Sequence, residues 1–152
     1  MAPFEWANYL AAAKFFAGCD PAFLDKETAL RCSVSRAYYA AYGRAYAYAC
    51  QVLKWVPSAS DKSSHHGELR SRYRARRHDI ASRLGRLRDW RNDCDYEIVS
   101  TADVERSLMA AQAIKDAEYV LRQLVLPAPS PPTAPPPDPS AGSTPTPPPP
   151  GD

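Results

Sequence analysis

Residues 33–50 read SVSRAYYAAYGRAYAYAC, and this stretch decides the predicted fold. It contains no proline, and its five tyrosines and two arginines stand among alanines. On an α-helix, Tyr38, Tyr42 and Tyr46 form a ladder at i, i+4 and i+8. A second stripe consists of small residues, which let a neighbouring helix approach closely. We therefore predict that most of the tyrosines pack in the core of a helical bundle or in a homodimer interface.

The sequence on either side of this stretch also repeats apolar side chains at helical spacing. The predicted helices cover residues 4–16, about 21 or 27 to 56, 64–77 and 79–96, and a last helix follows an N-cap at Thr101. The apolar residues of that last helix are Val104, Leu108, Ala111, Ile114, Val120, Leu121 and Leu124. Short loops favour antiparallel neighbours. The predicted fold class is all-α, an up-and-down antiparallel bundle of four to five helices.

The C-terminal segment differs from the rest of the chain in composition. From Pro127 it reads PAPSPPTAPPPDPSAGSTPTPPPPGD, with 13 of the 16 prolines and no aromatic residue. Such a segment cannot bury enough apolar surface to offset the entropy lost on ordering, and it favours polyproline II locally. We therefore predict a helical domain over residues 3–126 and a disordered proline-rich tail over 127–152.

The charge distribution and the cysteines restrict the class of protein. Residues 70–91 contain nine arginines and two aspartates, a balance that suits a phosphate-bearing partner, although a solvated helix face is an alternative. The four cysteines form no CxxC pair. The N-terminus lacks the pattern of a signal peptide, and no stretch approaches 18 consecutive apolar residues. We expect a cytoplasmic protein without a membrane segment.

A compact group of polar residues ends the predicted fourth helix. Arg91 and Asp95 are four residues apart, so they share a helix face and can form an ion pair. Tyr96 lies beside them, Asn92 flanks them, and Arg88 is one turn earlier. An exposed salt bridge at a helix end is the alternative interpretation. We predict that Arg36 and Tyr39 reach the same cleft, where a ring can stack on a base and an arginine can pair with phosphate.

Two adjacent histidines begin the predicted third helix. His66 is a candidate general acid or base, because histidine titrates near neutral pH; a solvent-exposed pair at a loop edge is the alternative. His65 and His66 have no carboxylate companion at metal-binding spacing. We therefore predict no metal site and no cofactor.

Three segments together resemble the HEPN-domain family. RCSVSRAYYAAYGRAYA, at 31–47, resembles the signature helix of that family, and HHGELRSRY, at 65–73, resembles the segment that follows it. RNDCDYE, at 91–97, resembles the Arg-x-x-x-Asp-Tyr ending of a subgroup of small bacterial members. The likeness covers about residues 4–124 in the same order. It implies a helical bundle, commonly a homodimer, that often pairs with a nucleotidyltransferase antitoxin.

The resemblance also implies a catalytic centre. Many HEPN proteins are metal-independent ribonucleases or toxins that use an Arg followed, four to six residues later, by a His. Arg91 matches that Arg, whereas Asp95 stands where the His would lie and no histidine follows His78. His66 could supply an imidazole from another helix, with Arg91 and Asp95 completing the catalytic set.

Three functions are consistent with these patterns. The first is a module that binds RNA or a nucleotide, or a nucleotidyltransferase partner. The second is a metal-independent endoribonuclease that uses Arg91, Asp95 and His66. The third is a structural homodimer that presents its proline-rich tail to another protein. The missing histidine after Arg91 leads us to favour the binding module.

Overall fold

The computed structural model describes residues 4–58, 64–98 and 103–128. These residues contain helices and no strand, which confirms the prediction of an all-α fold. The five helices are α1 (Ala7–Ala17), α2 (Lys26–Gln51), α3 (His65–Arg74), α4 (His78–Tyr96) and α5 (Asp103–Gln123). Thr101, the predicted N-cap, and residues 129–152 of the predicted tail lie outside the described residues.

Helix α2 starts within one residue of the predicted alternative of 27, and it ends earlier than predicted. The helix begins at Lys26, because the Asp25 side chain caps it by accepting a 3.0 Å hydrogen bond from the Thr28 amide. A start at residue 21 is wrong, since Asp20 there accepts from the Ala22 amide in a separate turn. The predicted end at residue 56 is also wrong. The helix ends at Gln51, and Lys54 adopts the left-handed conformation with φ of 53°.

Helix α2 lies at the centre of the bundle. It packs against each of the other four helices, and alanines with Val34 and Tyr38 form most of its buried face. Two buried hydroxyls fix the contacts between helices. Ser33 Oγ donates to the Ala13 carbonyl at 2.8 Å, and Tyr73 OH donates to the Ala45 carbonyl at 2.9 Å. The close approach predicted from the small residues of α2 is therefore present.

The apolar residues that predicted helix α5 are not all buried. Val104 and Leu108 are 72% and 68% exposed, whereas Val120 and Leu124 are buried. The buried residues of α5 are Arg106, Ala110, Ala113, Asp116, Ala117 and Val120. Alanines bring α5 close to α2, and both buried charged residues have polar partners. In the ranges described above, no helix combines the length and the apolarity needed to cross a membrane.

Candidate functional site

The guanidinium of Arg91 lies among three tyrosine rings. Its Cζ is 5.4 Å from the centroid of Tyr38, 5.6 Å from that of Tyr39 and 5.7 Å from that of Tyr96. Nη1 donates to the Tyr96 hydroxyl at 3.3 Å. Arg91 is only 9% exposed, so these rings and its polar contacts hold the cation in place within the bundle.

Asp95 forms the predicted ion pair with Arg91. Its Oδ2 lies 3.7 Å from Arg91 Nε, and it accepts a hydrogen bond from Ser35 Oγ at 3.4 Å. Asp95 is itself exposed, so solvent screens the pair. The carboxylate therefore links α2 and α4 at the surface while its partner lies inside.

His66 contacts α2 through Tyr38 and Tyr42. The Tyr38 hydroxyl is hydrogen-bonded to His66 Nδ1, and the imidazole centroid lies 4.3 Å from that of Tyr42. Burial lowers the pKa of His66, and the charges of Arg88 and Arg91 lower it further. Burial raises the pKa of the Tyr38 phenol far above its usual range. Both groups are therefore neutral at pH 7, with the phenol proton available for the bond to Nδ1.

One face of α2 forms a depression that we call the aromatic groove. Its volume is 370 Å³, and its lining residues are Trp6, Tyr39, Tyr42, Gly43, Tyr46, His65 and His66. The Trp6 indole packs directly on Gly43, where an added Cβ would overlap the ring. Of the five tyrosines in residues 33–50, most of which were predicted to pack in a core or dimer interface, Tyr38 is fully buried. The other four are half-buried, and three of them line this groove.

Arg36 of α2 contacts the rings of Tyr9 and Tyr39. Its Cζ is 5.1 Å from the Tyr9 centroid and 5.5 Å from that of Tyr39. Arg36 also lines a second depression, of 340 Å³, together with Ser35 and Asp95. Both Arg36 and Arg91 therefore contact the Tyr39 ring, which brings together the residues predicted to share a cleft.

Two of the predicted binding residues lie beside this arrangement. Asn92 and Tyr96 line an open depression of 550 Å³ at the end of α4, which does not include the groove residues. Tyr96 is 73% exposed and is connected to the buried site through Arg91. Arg88 is half-buried, and its charge lowers the pKa of His66. Asn92 therefore lines a separate depression and does not line the aromatic groove.

Arg31 is a positioning residue that sequence reasoning missed. Its Nη1 donates to the Cys94 and Glu97 carbonyls at 2.8 Å each, and its Nε donates to Glu27 at 2.7 Å. A cation at a helix C-terminus satisfies carbonyls that lack an intrahelical partner. Arg31 therefore fixes the end of α4 that carries Arg91. The i, i+4 spacing of Glu27 and Arg31 in the sequence was the pattern that could have indicated an ion pair at this position.

Many arginines of the basic segment 70–91 form hydrogen bonds or ion pairs with other groups of the protein. The arginines with described polar partners are Arg72 on the Leu53 carbonyl, Arg77 on Asp79, Arg83 and Arg86 on Asp116, and Arg91 on Tyr96. Arg74 and Arg76 are exposed. The segment is therefore neither a simple solvated face nor a continuous surface track for phosphates. Among the described residues, no cluster of three or more His, Cys, Asp or Glu side chains could hold a metal ion.

The stability of the fold is expected to depend on the protonation of His66. Because its pKa is lower in the folded chain than in the unfolded chain, the unfolded chain binds more protons at acid pH. The free energy of unfolding should fall as the pH decreases from about 7 through the usual histidine pKa of about 6.5. Urea denaturation from pH 5 to 8 measures this slope, which should be shallower in His66→Asn. Equal slopes in the two proteins would contradict the buried, neutral imidazole.

Comparison of the chain with protein-family models, with curated proteins and with solved structures returns no match. The chemistry of the site therefore has to be argued from its own residues.

Proposed function

We propose that this chain binds single-stranded RNA or a nucleotide in the aromatic groove, with Arg36 beside it as the phosphate contact. One observation carries the proposal: three tyrosines, a tryptophan and two histidines line one open groove, and Arg36 lies against the Tyr39 ring at its edge. A volume of 370 Å³ falls within the range of small-molecule sites, about 300–1,000 Å³.

The lining supports stacking rather than catalysis as the main interaction. Every base has a π-face, so rings such as those of Tyr42 and Tyr46 can stack on it without regard to sequence. The two centroids lie 6.0 Å apart along α2. Arg36 is half-buried and keeps part of its guanidinium accessible, whereas Arg91 is enclosed. Arg91 therefore acts by holding Tyr39 and by its positive potential, and Arg36 by direct pairing.

The resemblance to HEPN proteins extends the proposal to partners and location. It favours a cytoplasmic homodimer in which the two copies face one cleft, associated with a nucleotidyltransferase. The exposed Tyr96 and Ile98 at the end of α4, which are 73% and 99% exposed, support a surface available to a protein partner.

Removal of one stacking ring is expected to weaken RNA binding. Tyr46→Ala should reduce the affinity for a fluorescently labelled single-stranded RNA by about 5- to 100-fold, because stacking on an aromatic side chain contributes about 1–3 kcal/mol per base. Fluorescence anisotropy measures the dissociation constant. The matched control is Phe23→Ala, which removes a ring that is 87% exposed and outside the groove. Equal affinity of the two variants would contradict the groove as the binding site.

The phosphate contact is tested in the same assay. Arg36→Ala should weaken binding about tenfold and reduce the salt dependence by about one counterion. Arg76→Ala removes the same charge from an exposed position and should change the affinity much less. If both variants lose affinity equally, RNA binding depends on net charge alone, and the prediction that Arg36 contacts the phosphate is wrong.

A second candidate function is metal-independent RNA cleavage, because His66 and Arg91 both contact Tyr38. Cleavage without a metal requires a base for the 2′-hydroxyl and stabilisation of the phosphorane charge. His66 would be the base, and the positive potential of Arg91, which is ion-paired to Asp95, would stabilise the charge. Incubation of the labelled RNA in EDTA with wild type, Arg91→Ala and His66→Ala tests this. Cleavage by wild type that both variants lose establishes an endoribonuclease. If the RNA binds but is not cleaved, the chain binds RNA without cleaving it, and the first function is favoured.

A further inference from the structure

We infer that the aromatic groove binds the first proline cluster of the chain's own C-terminal segment, residues 129–139, which read PSPPTAPPPDP. This occupant would compete with any base that enters the groove. The inference concerns a protein–peptide contact and does not depend on whether the chain binds RNA.

The place where the segment leaves the bundle supports this assignment. The last described residues, 125–128, line a depression of 580 Å³ together with Trp6, Phe4 and Arg44. Trp6 also lines the aromatic groove, where its indole packs on Gly43. The proline-rich segment therefore starts from a depression that shares Trp6 with the groove. At about 3.1 Å per residue in polyproline II, residues 129–139 can extend roughly 34 Å, so reach is not limiting.

The chemistry of the groove matches a polyproline ligand. Proline-rich segments dock in grooves lined by aromatic rings, because the polyproline II conformation is preformed and little entropy is lost on binding. Successive rings along this groove, Tyr42 and Tyr46, have centroids 6.0 Å apart. Polyproline II has three residues per turn, so two of its three faces can lie against a groove. Prolines two positions apart, about 6.2 Å along the axis, lie on adjacent faces and can contact successive rings. The run Pro135, Pro136 and Pro137 supplies such prolines.

The charges are also complementary. Residues 129–152 contain two aspartates, Asp138 and Asp152, and no lysine or arginine. Arg36 lies against Tyr39 at one side of the groove, and Arg44 lines the depression where the segment begins. Asp138 belongs to the first cluster, whereas the second cluster, 145–150, has no charged residue. The first cluster is therefore both the nearer and the better matched of the two.

The test uses the full chain labelled with 5-fluorotryptophan, observed by ¹⁹F NMR without RNA. Trp6→Phe assigns the Trp6 signal among the three tryptophans. One variant carries Pro135→Ser, Pro136→Ser and Pro137→Ser. The matched control carries Pro147→Ser, Pro148→Ser and Pro149→Ser. We expect the first variant to shift the Trp6 signal and the control to leave it unchanged. A synthetic peptide of residues 129–139, added to the first variant, should return the signal towards its wild-type position.

Three results would overturn the inference. An unchanged Trp6 signal in the first variant means that these prolines do not contact the groove. Equal shifts in both variants mean that the effect is general to the segment. A wild-type signal that moves on dilution assigns the groove to the segment of a second copy. The NMR experiment contains no RNA, and RNA affinity is measured separately. The two proposals can therefore fail independently of each other.

Discussion

Replacement of both Arg83 and Arg86 with alanine is expected to lower the free energy of unfolding by about 3 kcal/mol. Both arginines form ion pairs with Asp116, whose side chain is completely buried. Without them, the one side-chain partner that the described residues leave to the carboxylate is the Gln112 amide, at 3.2 Å. The expected loss lies at the lower end of the range for breaking a buried ion pair, because the two arginine side chains are 29% and 43% exposed. Water can therefore reach the carboxylate when they are removed. Urea denaturation at pH 7 measures the loss.

A triple variant separates the buried charge from the lost packing. Adding Asp116→Asn to the two alanine substitutions removes the carboxylate while it keeps the size of the side chain, and it should recover more than half of the lost stability. If the triple variant is no more stable than the double variant, the loss comes from the contacts of the two guanidinium groups with the Tyr119 and Trp90 rings. A double variant within 0.5 kcal/mol of wild type, roughly the scatter of surface substitutions, would contradict the network altogether.

The same substitution at two glycines is expected to have opposite effects. In Gly43→Ala the new Cβ would overlap the Trp6 indole, so α1 or the ring must move, at a cost of about 1–3 kcal/mol. In Gly67→Ala the Cβ meets no atom within 4 Å, and the better helix propensity of alanine should stabilise α3 by up to about 1 kcal/mol. Thermal and urea denaturation of the two variants measure both changes.

The two glycine variants also test the groove. A shifted Trp6 ring should alter the tryptophan fluorescence of Gly43→Ala and leave that of Gly67→Ala close to wild type. Equal stability of the two variants would mean that Trp6 rotates away freely, and the groove wall would then not be fixed. Both glycines lie within helices, so backbone strain at positive φ plays no part in the difference.

Local periodicity predicted the helices, whereas pairings between distant residues were not predictable. The spacing of Tyr38, Tyr42 and Tyr46 identified α2 because helical neighbours are three or four positions apart. The bond between Tyr38 and His66 joins residues 28 positions apart, and that between Arg83 and Asp116 joins residues 33 apart. Nothing in the sequence selects these partners from the other charged or polar residues of the chain.

Residue type did not identify the buried face of α5. Val104 and Leu108 belong to the apolar pattern that predicted the helix, yet both are exposed, although apolar side chains are more often buried than charged ones. The structure buries Asp116 and Arg106, because ion pairs and hydrogen bonds satisfy them there. The contacts of Arg36 and Arg91 with Tyr39, and of Arg91 with Asp95, join residues that were predicted to lie together, because they belong to two helices with clear periodicity. The aromatic groove was not predicted, because Trp6 enters it from α1's start and His66 from α3.

The position of Tyr38 has a consequence for how this chain evolves. One ring contacts Arg91 of α4 through its face and His66 of α3 through its hydroxyl. The hydrogen bond couples positions 38 and 66, so lineages of this chain should exchange these two residues together. Phenylalanine at position 38 should accompany loss of the imidazole at 66, while the cation at 91 persists, because a phenylalanine ring still attracts a guanidinium. Relatives that keep tyrosine at position 38 should then also keep histidine at position 66.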